Sequence, residues 1–391
     1  MHAKFLDLLC CPETREALTL DAQVTLQNGT VWAGTLRSPS GRQYPIVRGV
    51  PRFVDRERYA ASFGWEWGRW PRVQFDSENA GGPMAGHTTR MWERITGAGL
   101  EDVTGKTVVD FGCGPGRFLD VVRRKGGTAV GIDLSAAVDA ARTNFGDDPD
   151  VLIVQGDLLR PPFREGAFDG GFTVGVLHHT PEPEDGLRAM ARCVRPGGWV
   201  SCCVYPRGGF YENKSVERFR RIHAKLYPKF EYLPALVYSY LAAYVISPVF
   251  QFLKHVGLRR LIEHVEQRWI VSLWIKDAQW RVLDTFDAIT PEIATTHTEA
   301  EVAEWMAAAG CESVRRTGWC ETSATAVREQ KLILSMIPID AEDEVVRHHA
   351  AVAAAARGFA TEDEDDHTPD LLPLTISPWE ERDREQGRAA A

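Results

Sequence analysis

The spacing of apolar and polar positions changes three times along the chain. From Met1 to about Asp55, the runs Leu18–Leu26, Thr30–Leu36 and Tyr44–Val50 alternate in character and are separated by Asn28-Gly29, Ser38-Pro39 and Ser40-Gly41. Alternation with period two between turn dipeptides predicts β-hairpins in a small β-rich module. From Lys106 to Tyr205, short apolar runs alternate with helical patterns. Val108–Phe111, Ala129–Ile132, Val151–Val154, Phe168–Val176 and Trp199–Tyr205 read as strands; Arg117–Lys125, Ser135–Phe145 and Glu184–Val194 read as helices. Such alternation with right-handed crossovers predicts an α/β fold built on a doubly wound, mostly parallel sheet. The stretch from Asn213 to about Asp284 is helical and interrupts the sheet. Thr298–Ala309 follows as a helix, with Thr298 as N-cap and Glu301 completing a capping box. Val314 and Leu332–Met336 supply two further strands, making seven.

The helical interruption opens with Lys214, Arg218, Arg220, Arg221, Lys225 and Lys229 and continues into Tyr232–Leu253, which carries no charged residue. Lys254, Arg259 and Arg260 flank its far end. Pro234 and Pro248 are expected to cut this run to Ala235–Ser247, about 20 Å of helix against a hydrocarbon core of about 30 Å. A buried or lid helix is the expectation rather than a transmembrane span, and an interfacial helix in peripheral membrane contact is the alternative.

The chain has 391 residues, 44% hydrophobic and 25% charged, close to globular averages. Of its 54 acidic and 45 basic side chains, 14 and five lie between Asp340 and Ala391, leaving 40 of each sign before that point. The excess charge therefore belongs to a tail with few apolar residues, which reads as solvated. A neutral body argues against gripping a nucleic-acid backbone by charge alone. The eight cysteines include the adjacent pairs Cys10-Cys11 and Cys202-Cys203 and lack the spacing of a secreted disulfide scaffold. Met1–Cys11 is too short and too charged for a signal peptide, so a reducing cytoplasm is expected.

The chemistry concentrates where strands end. Val108-Val109-Asp110-Phe111-Gly112-Cys113-Gly114-Pro115-Gly116 carries a buried strand through an acid into a glycine loop that opens a helix. Glycines there let the backbone turn tightly and approach a ligand. In a dinucleotide fingerprint the third glycine would stand at position 117, which is Arg117, and no P-loop Lys follows Gly116. A second strand ends at Gly131-Ile132-Asp133, where a carboxylate can accept from a ribose diol, and a third at Gln155-Gly156-Asp157-Leu158.

With these residues in order, Lys106–Tyr205 resembles a class I S-adenosylmethionine-dependent methyltransferase. The resemblance rests on the glycine loop after Asp110, on Asp133, on Asp157, on the fourth strand, and on Val194-Arg195-Pro196-Gly197-Gly198 before the fifth. It implies a seven-stranded Rossmann-like sheet with S-adenosyl-L-methionine as cofactor. Gly112, Gly114 and Gly116 would border its methionine portion, Asp110 would help orient its ammonium or nearby waters, Asp133 would hold its ribose and Asp157 contact its adenine, with Phe111, Cys113, Leu134, Gly156, Leu158 and Val174 as further cofactor-binding residues. Acidic strand ends suit a ligand with a sulfonium and an ammonium but no phosphate.

For the acceptor side, His178 and His179 stand at the end of the fourth strand, where a His can take a proton at neutral pH or simply pack and cap. Asp284, Asp287 and His297 are further candidates between the helical interruption and the returning helix. The aromatic segment Ser62–Pro71 reads as a flap. An enclosed, Trp- and Tyr-rich site suits a small-molecule or carrier-borne acceptor, partly apolar, with aromatic, glycosidic and lipid-linked molecules all in range. Two alternatives stay open: an RNA or protein methyltransferase, suggested by the basic stretch Lys214–Lys229, and a non-catalytic partner that keeps the fold.

The amino-terminal module resembles the small zinc-ribbon protein that activates several methyltransferases, through Leu8-Leu9-Cys10-Cys11-Pro12 and Gly41–Pro51. The metal pattern has decayed: Cys11-Pro12-Glu13-Thr14 stands in place of Cys-Pro-x-Cys, so no structural zinc is expected. Tyr44, Ile46, Val50 and Phe53 are expected to pack on the body instead. The domain organisation expected is 1–55 as this module, 56–105 as flap and helix, 106–212 as cofactor core, 213–283 as helical lid, 284–339 as the end of the core and 340–391 as the tail.

Overall fold

The amino-terminal runs pair into one antiparallel sheet of four strands in sequence order, β1 (Thr19–Thr25), β2 (Val31–Arg37), β3 (Gln43–Val47) and β4 (Val50–Pro51). The structure is a computed structural model that describes residues 1–55, 58–97, 102–208, 210–266, 269–270, 272–273, 275–317, 320 and 322–329. The third sequence run divides in two because Arg48 and Gly49 both take positive φ, 50° and 79°, and so form the two-residue turn that matches strand twist.

Helices α1 (Ala61–Arg69) and α2 (His87–Thr96) lead into β5 (Thr107–Phe111), α3 (Arg117–Arg124), β6 (Thr128–Asp133), α4 (Ala137–Phe145), β7 (Val151–Gln155), β8 (Phe168–Val174), α5 (Pro183–Cys193) and β9 (Val194–Cys203). Then come α6 (Lys214–Phe230), α7 (Leu233–Leu241), α8 (Ser247–Leu253), α9 (Arg259–Glu266), α10 (Ala278–Ile289), α11 (Glu299–Ala308), β10 (Cys311–Arg316) and β11 (Ser323–Arg328). The seven strands run β10-β11-β9-β8-β5-β6-β7, the five from β5 to β9 parallel and the last two antiparallel. Both faces are covered, which is why these strands read as continuous apolar runs. Val109, Val130, Leu152 and Val154 join α5 and the amino-terminal module in one core. Val108, Ala129 and Val151 join α2, α3 and α4 in the other.

The amino-terminal module is fastened at the β7 edge. Cys10 N–H donates to Pro162 O at 2.9 Å, Phe53 N–H to Gln155 O at 2.8 Å, and Arg52 pairs with Asp139 at 2.6 Å. Tyr44, Ile46 and Val50 are buried, and the Tyr44 and Phe53 rings lie 4.7 Å apart. The capping box forms as its spacing requires, Glu301 N–H donating to Thr298 Oγ1 and Thr298 N–H to Glu301 Oε2.

Two expectations need correction. The seventh strand is Ser323–Arg328, whereas the Leu332–Met336 run lies outside the described residues, as does the 340–391 tail. Ser323-Ala-Thr-Ala has no large aliphatic residue to announce a strand. It fits because small side chains are wanted beside β9, where Ser201 Oγ donates to Thr325 Oγ1 at 2.7 Å.

Nor does Pro248 stop the uncharged helix. Helical backbone runs from Leu233 to Glu263, with a kink at Gly257, and by length and composition alone could cross a membrane. A π-type turn at Ala242–Ile246 accommodates the proline: Ser247 N–H reaches back to Ala242 O, and Pro248 has no N–H to offer Ala243 O. The Arg281 guanidinium on α10 supplies the missing donor, reaching Ala243 O at 3.0 Å, Ser247 Oγ at 2.9 Å and Ile275 O at 2.7 Å. Arg281→Met should leave these carbonyls buried without donors and destabilise the fold by about 3 kcal/mol. Urea unfolding of the two proteins measures it, and an unchanged midpoint would contradict this account of the turn.

Candidate functional site

The loop after β5 is shaped by close approach. Gly112 has φ 86°, and a Cβ there would run into the Val176 side chain. Gly112 and Cys113 N–H groups both donate to Ile132 O, at 2.7 and 3.0 Å, which ties the loop across to the end of β6. The Asp133 carboxylate completes the tie: Oδ2 accepts Gly114 N–H at 2.9 Å, while Oδ1 accepts Ser135 N–H at 2.8 Å and Ser135 Oγ at 2.7 Å. Burial pushes the Asp133 carboxyl above its ordinary range, and these donors oppose the shift.

A cavity of about 360 Å³ opens beyond this loop, within the range of about 300–1,000 Å³ usual for ligand sites. Gly112, Cys113, Gly114, Asp133, Leu134, Gly156, Leu158 and Val174 line one part of it; His178, His179, Asp284 and Asp287 line another. Five sequence candidates stand outside the wall. Asp110 is buried behind the loop, with Oδ2 lacking a protein partner and its carboxyl raised by desolvation. Phe111 is core, and Gly116 sits beneath the Phe145 ring at the start of α3. Asp157 Oδ1 accepts Leu159 N–H at 2.9 Å and so shapes its own turn. His297 is held against Trp305, 4.6 Å between rings, and by Thr295 Oγ1 at 2.8 Å.

The two adjacent histidines are made different by their backbone contacts. His179 Nδ1 lies 2.7 Å from Ile293 O, and a carbonyl can only accept, so Nδ1 carries the proton and Nε2 keeps a lone pair. His178 Nδ1 accepts the Tyr205 N–H at 3.3 Å, which places its proton on Nε2. Neither Nε2 has a protein partner. Desolvation holds both imidazoles neutral, lowering His179 to about 4. The Tyr205 ring stacks on Tyr211 at 3.4 Å and lies tilted by 30° against His178 at 3.5 Å, forming an aromatic wall.

Helix α10 presents Asp284 and Asp287 one turn apart. Asp287 Oδ2 accepts from Tyr205 Oη at 3.4 Å, and Asp284 Oδ2 from Ser272 Oγ. Burial raises Asp287 to about 6 and Asp284 to about 7. Sequence reasoning passed over two neighbours. Glu66 on α1 is 0% exposed with neither oxygen partnered, its carboxyl driven up by burial and by Asp287 and Asp284. Arg117 lines the cavity, lowered to about 10 by desolvation. Their signals were an acid between two tryptophans and the residue that breaks the dinucleotide glycine pattern.

The comparisons with known proteins bear on this core. Residues 109–202 match the family model described as a methyltransferase domain. The chain is 27% identical over 179 residues to a 24-methylenesterol C-methyltransferase 2 of Oryza sativa subsp. japonica, covering 44% of this chain and 49% of the relative. It is 36% identical over 109 residues to a ubiquinone biosynthesis O-methyltransferase of Paracidovorax citrulli, covering 26% and 44%. The chain spans about half the length of these curated relatives. Among solved structures, the complex between the Haloferax volcanii Trm112 methyltransferase activator and the putative methyltransferase aligns with 71% of this chain and 100% of that one, at 16% identity and a TM-score of 0.39. Residues 109–202 are thus similar to a methyltransferase domain, and they form the parallel part of the seven-stranded sheet.

The buried acids have a signature in stability. A carboxyl raised from 3.8 in the fold binds its proton more tightly there than in the unfolded chain, so its contribution is full below about pH 4 and is lost as pH rises through about 7. Asp284→Asn should therefore flatten the fall in stability between about pH 4 and 7. Urea midpoints across that range check this, and parallel curves for the two proteins would contradict it.

Proposed function

We propose that the protein is an S-adenosylmethionine-dependent methyltransferase acting on a small-molecule or carrier-borne acceptor with apolar or aromatic character. The observation that carries the reading is the composition of a single cavity. At one part stand the glycine loop, the Asp133 carboxylate and Gly156; at another stand a histidine lone pair, two carboxyls poised near neutrality and stacked tyrosines. The donor set fits the cofactor. Glu66, Asp110, Asp133, Asp284 and Asp287 gather acidic groups in and around the cavity, suited to a ligand bearing an ammonium and a sulfonium. The unpartnered, buried Asp110 Oδ2 is an acceptor that a protein N–H does not fill.

When bound, the cofactor supplies an electrophilic methyl group. This chain's residues position the acceptor, exclude water and take a proton. His179 Nε2 is the atom best placed by tautomer to accept a proton from an acceptor hydroxyl, phenol or amine, whereas His178 presents an N–H and can only donate. Because His179 is lowered to about 4, its lone pair is present throughout the neutral range. Asp287 and Asp284 ionise between about 6 and 7 and favour positive charge on the acceptor side. The Trp67, Trp280, Tyr205 and Tyr211 walls suit a ring-bearing or prenyl-like acceptor, and the relatives' names, one for a sterol and one for ubiquinone biosynthesis, are in keeping with it.

Transfer of a labelled methyl group to candidate acceptors tests the proposal. His179→Ala should lower turnover by about a hundredfold or more while changing cofactor affinity little. In the intact protein, turnover should climb as pH rises through 6 to 7, and Asp287→Asn should remove the lower inflection. Equal losses of turnover and cofactor affinity in His179→Ala would assign that residue to packing.

A further inference from the structure

The helical run Leu233–Glu263 is turned inside out for a protein surface in water. Its small side chains, Ala235, Ser239, Ala242, Ala243 and Ser247, face the body and are buried. Most of its large ones face outward, Phe250 and Ile262 being buried exceptions: Val237 is 59% exposed and Phe252 63%, with Leu233, Tyr244 and Val256 all above half or at it. The outward positions 233, 237, 240, 244, 252 and 256 repeat at helical spacing, so they form one stripe rather than scattered residues. Small residues turned towards protein and large apolar ones turned away is the arrangement found where helices meet lipid, and a continuous apolar stripe of this length is more than a monomer in water ordinarily exposes.

The preceding helix carries the charge. On α6, which packs on α7, Lys214, Arg218, Arg221, Lys225 and Lys229 recur every three or four residues and are all exposed, forming one basic face. From Lys214 to Arg260 the sequence holds nine Lys or Arg against two Glu, whereas the rest of residues 1–339 holds 31 basic against 38 acidic side chains. We propose that the α6 basic face and the α7–α9 apolar stripe together form a docking surface for an anionic lipid bilayer, with the helix lying in the interface plane. Basic residues bordering outward-facing Leu, Val, Phe and Tyr are the composition of such helices. The small-residue face is locked to the body through Arg281, whose guanidinium reaches Ala243 and Ser247, so the run lies along the body instead of crossing a membrane alone. A second copy of the chain is the other occupant an apolar stripe could take. A two-fold contact through this face would bring the cationic α6 faces of both copies to one interface, which like charges oppose. An RNA would use the basic face and leave the stripe uncovered.

The surface stands apart from the catalytic reading, since it uses none of the cavity residues. Flotation of the full-length protein with vesicles of phosphatidylcholine alone, and of phosphatidylcholine mixed with phosphatidylglycerol, tests it. Binding is expected to the mixed vesicles and to fall with added salt. Val237→Glu/Phe252→Glu should abolish it at an unchanged thermal midpoint. Should that variant fail to fold, Lys225→Gln/Lys229→Gln on the exposed face serves instead, with binding weakened about tenfold or more. Absence of flotation with the mixed vesicles would overturn the proposal, as would binding undiminished in both variants. A dimer in sedimentation velocity that Val237→Glu/Phe252→Glu dissociates would overturn it too, by assigning the stripe to a second copy.

Discussion

The bond from Gly114 N–H to the Asp133 carboxylate is the contact on which the site depends. It joins the loop after β5 to the end of β6, while Ile132 O holds the two preceding N–H groups of the same loop. A glycine at 112 is needed because Val176 occupies the space a side chain would take. Backbone is thereby brought to the cavity wall at the carboxyl edge of a parallel sheet, the place where α/β sheets bind ligands.

Desolvation sets the chemistry of the rest. The cavity region gathers carboxyls that burial pushes up and imidazoles that burial pushes down, so the acids of α10 give up their protons only as pH approaches neutrality while the imidazoles stay neutral. Identical side chains then acquire different roles from their backbone neighbours. Ile293 O fixes one tautomer at His179, and the Tyr205 N–H fixes the other at His178. Helix α10 links this chemistry to the outer surface, with Asp284 and Asp287 facing the cavity and Arg281 turned to the carbonyl that Pro248 leaves without a donor.

The parallel strands, the glycine loop and the capping box were legible because each depends on local pattern: continuous apolar runs, obligatory glycines, and Thr298 three residues before Glu301. What the pattern hid was tertiary. Ser323–Arg328 is a strand because β9 accepts its small residues, not because its own side chains demand it. Pro248 reads as a stop, yet a π-type turn and a distant Arg281 absorb it. Asp284 and Asp287 reach the cavity wall, while His297, alike in sequence prominence, is taken up by Trp305 and Thr295. Glu66 and Arg117 come to the site only through packing of α1 and α3.

The account stands on the cavity being a cofactor site held together by Asp133. Calorimetric titration with S-adenosylmethionine and S-adenosylhomocysteine, comparing the intact protein with Asp133→Ala, tests this most directly. Both ligands should bind the intact protein, and the variant, folded by its circular dichroism, should lose about 2 kcal/mol or more, roughly thirtyfold in affinity. Failure of both ligands to bind the intact protein, or equal binding by the variant, would contradict it.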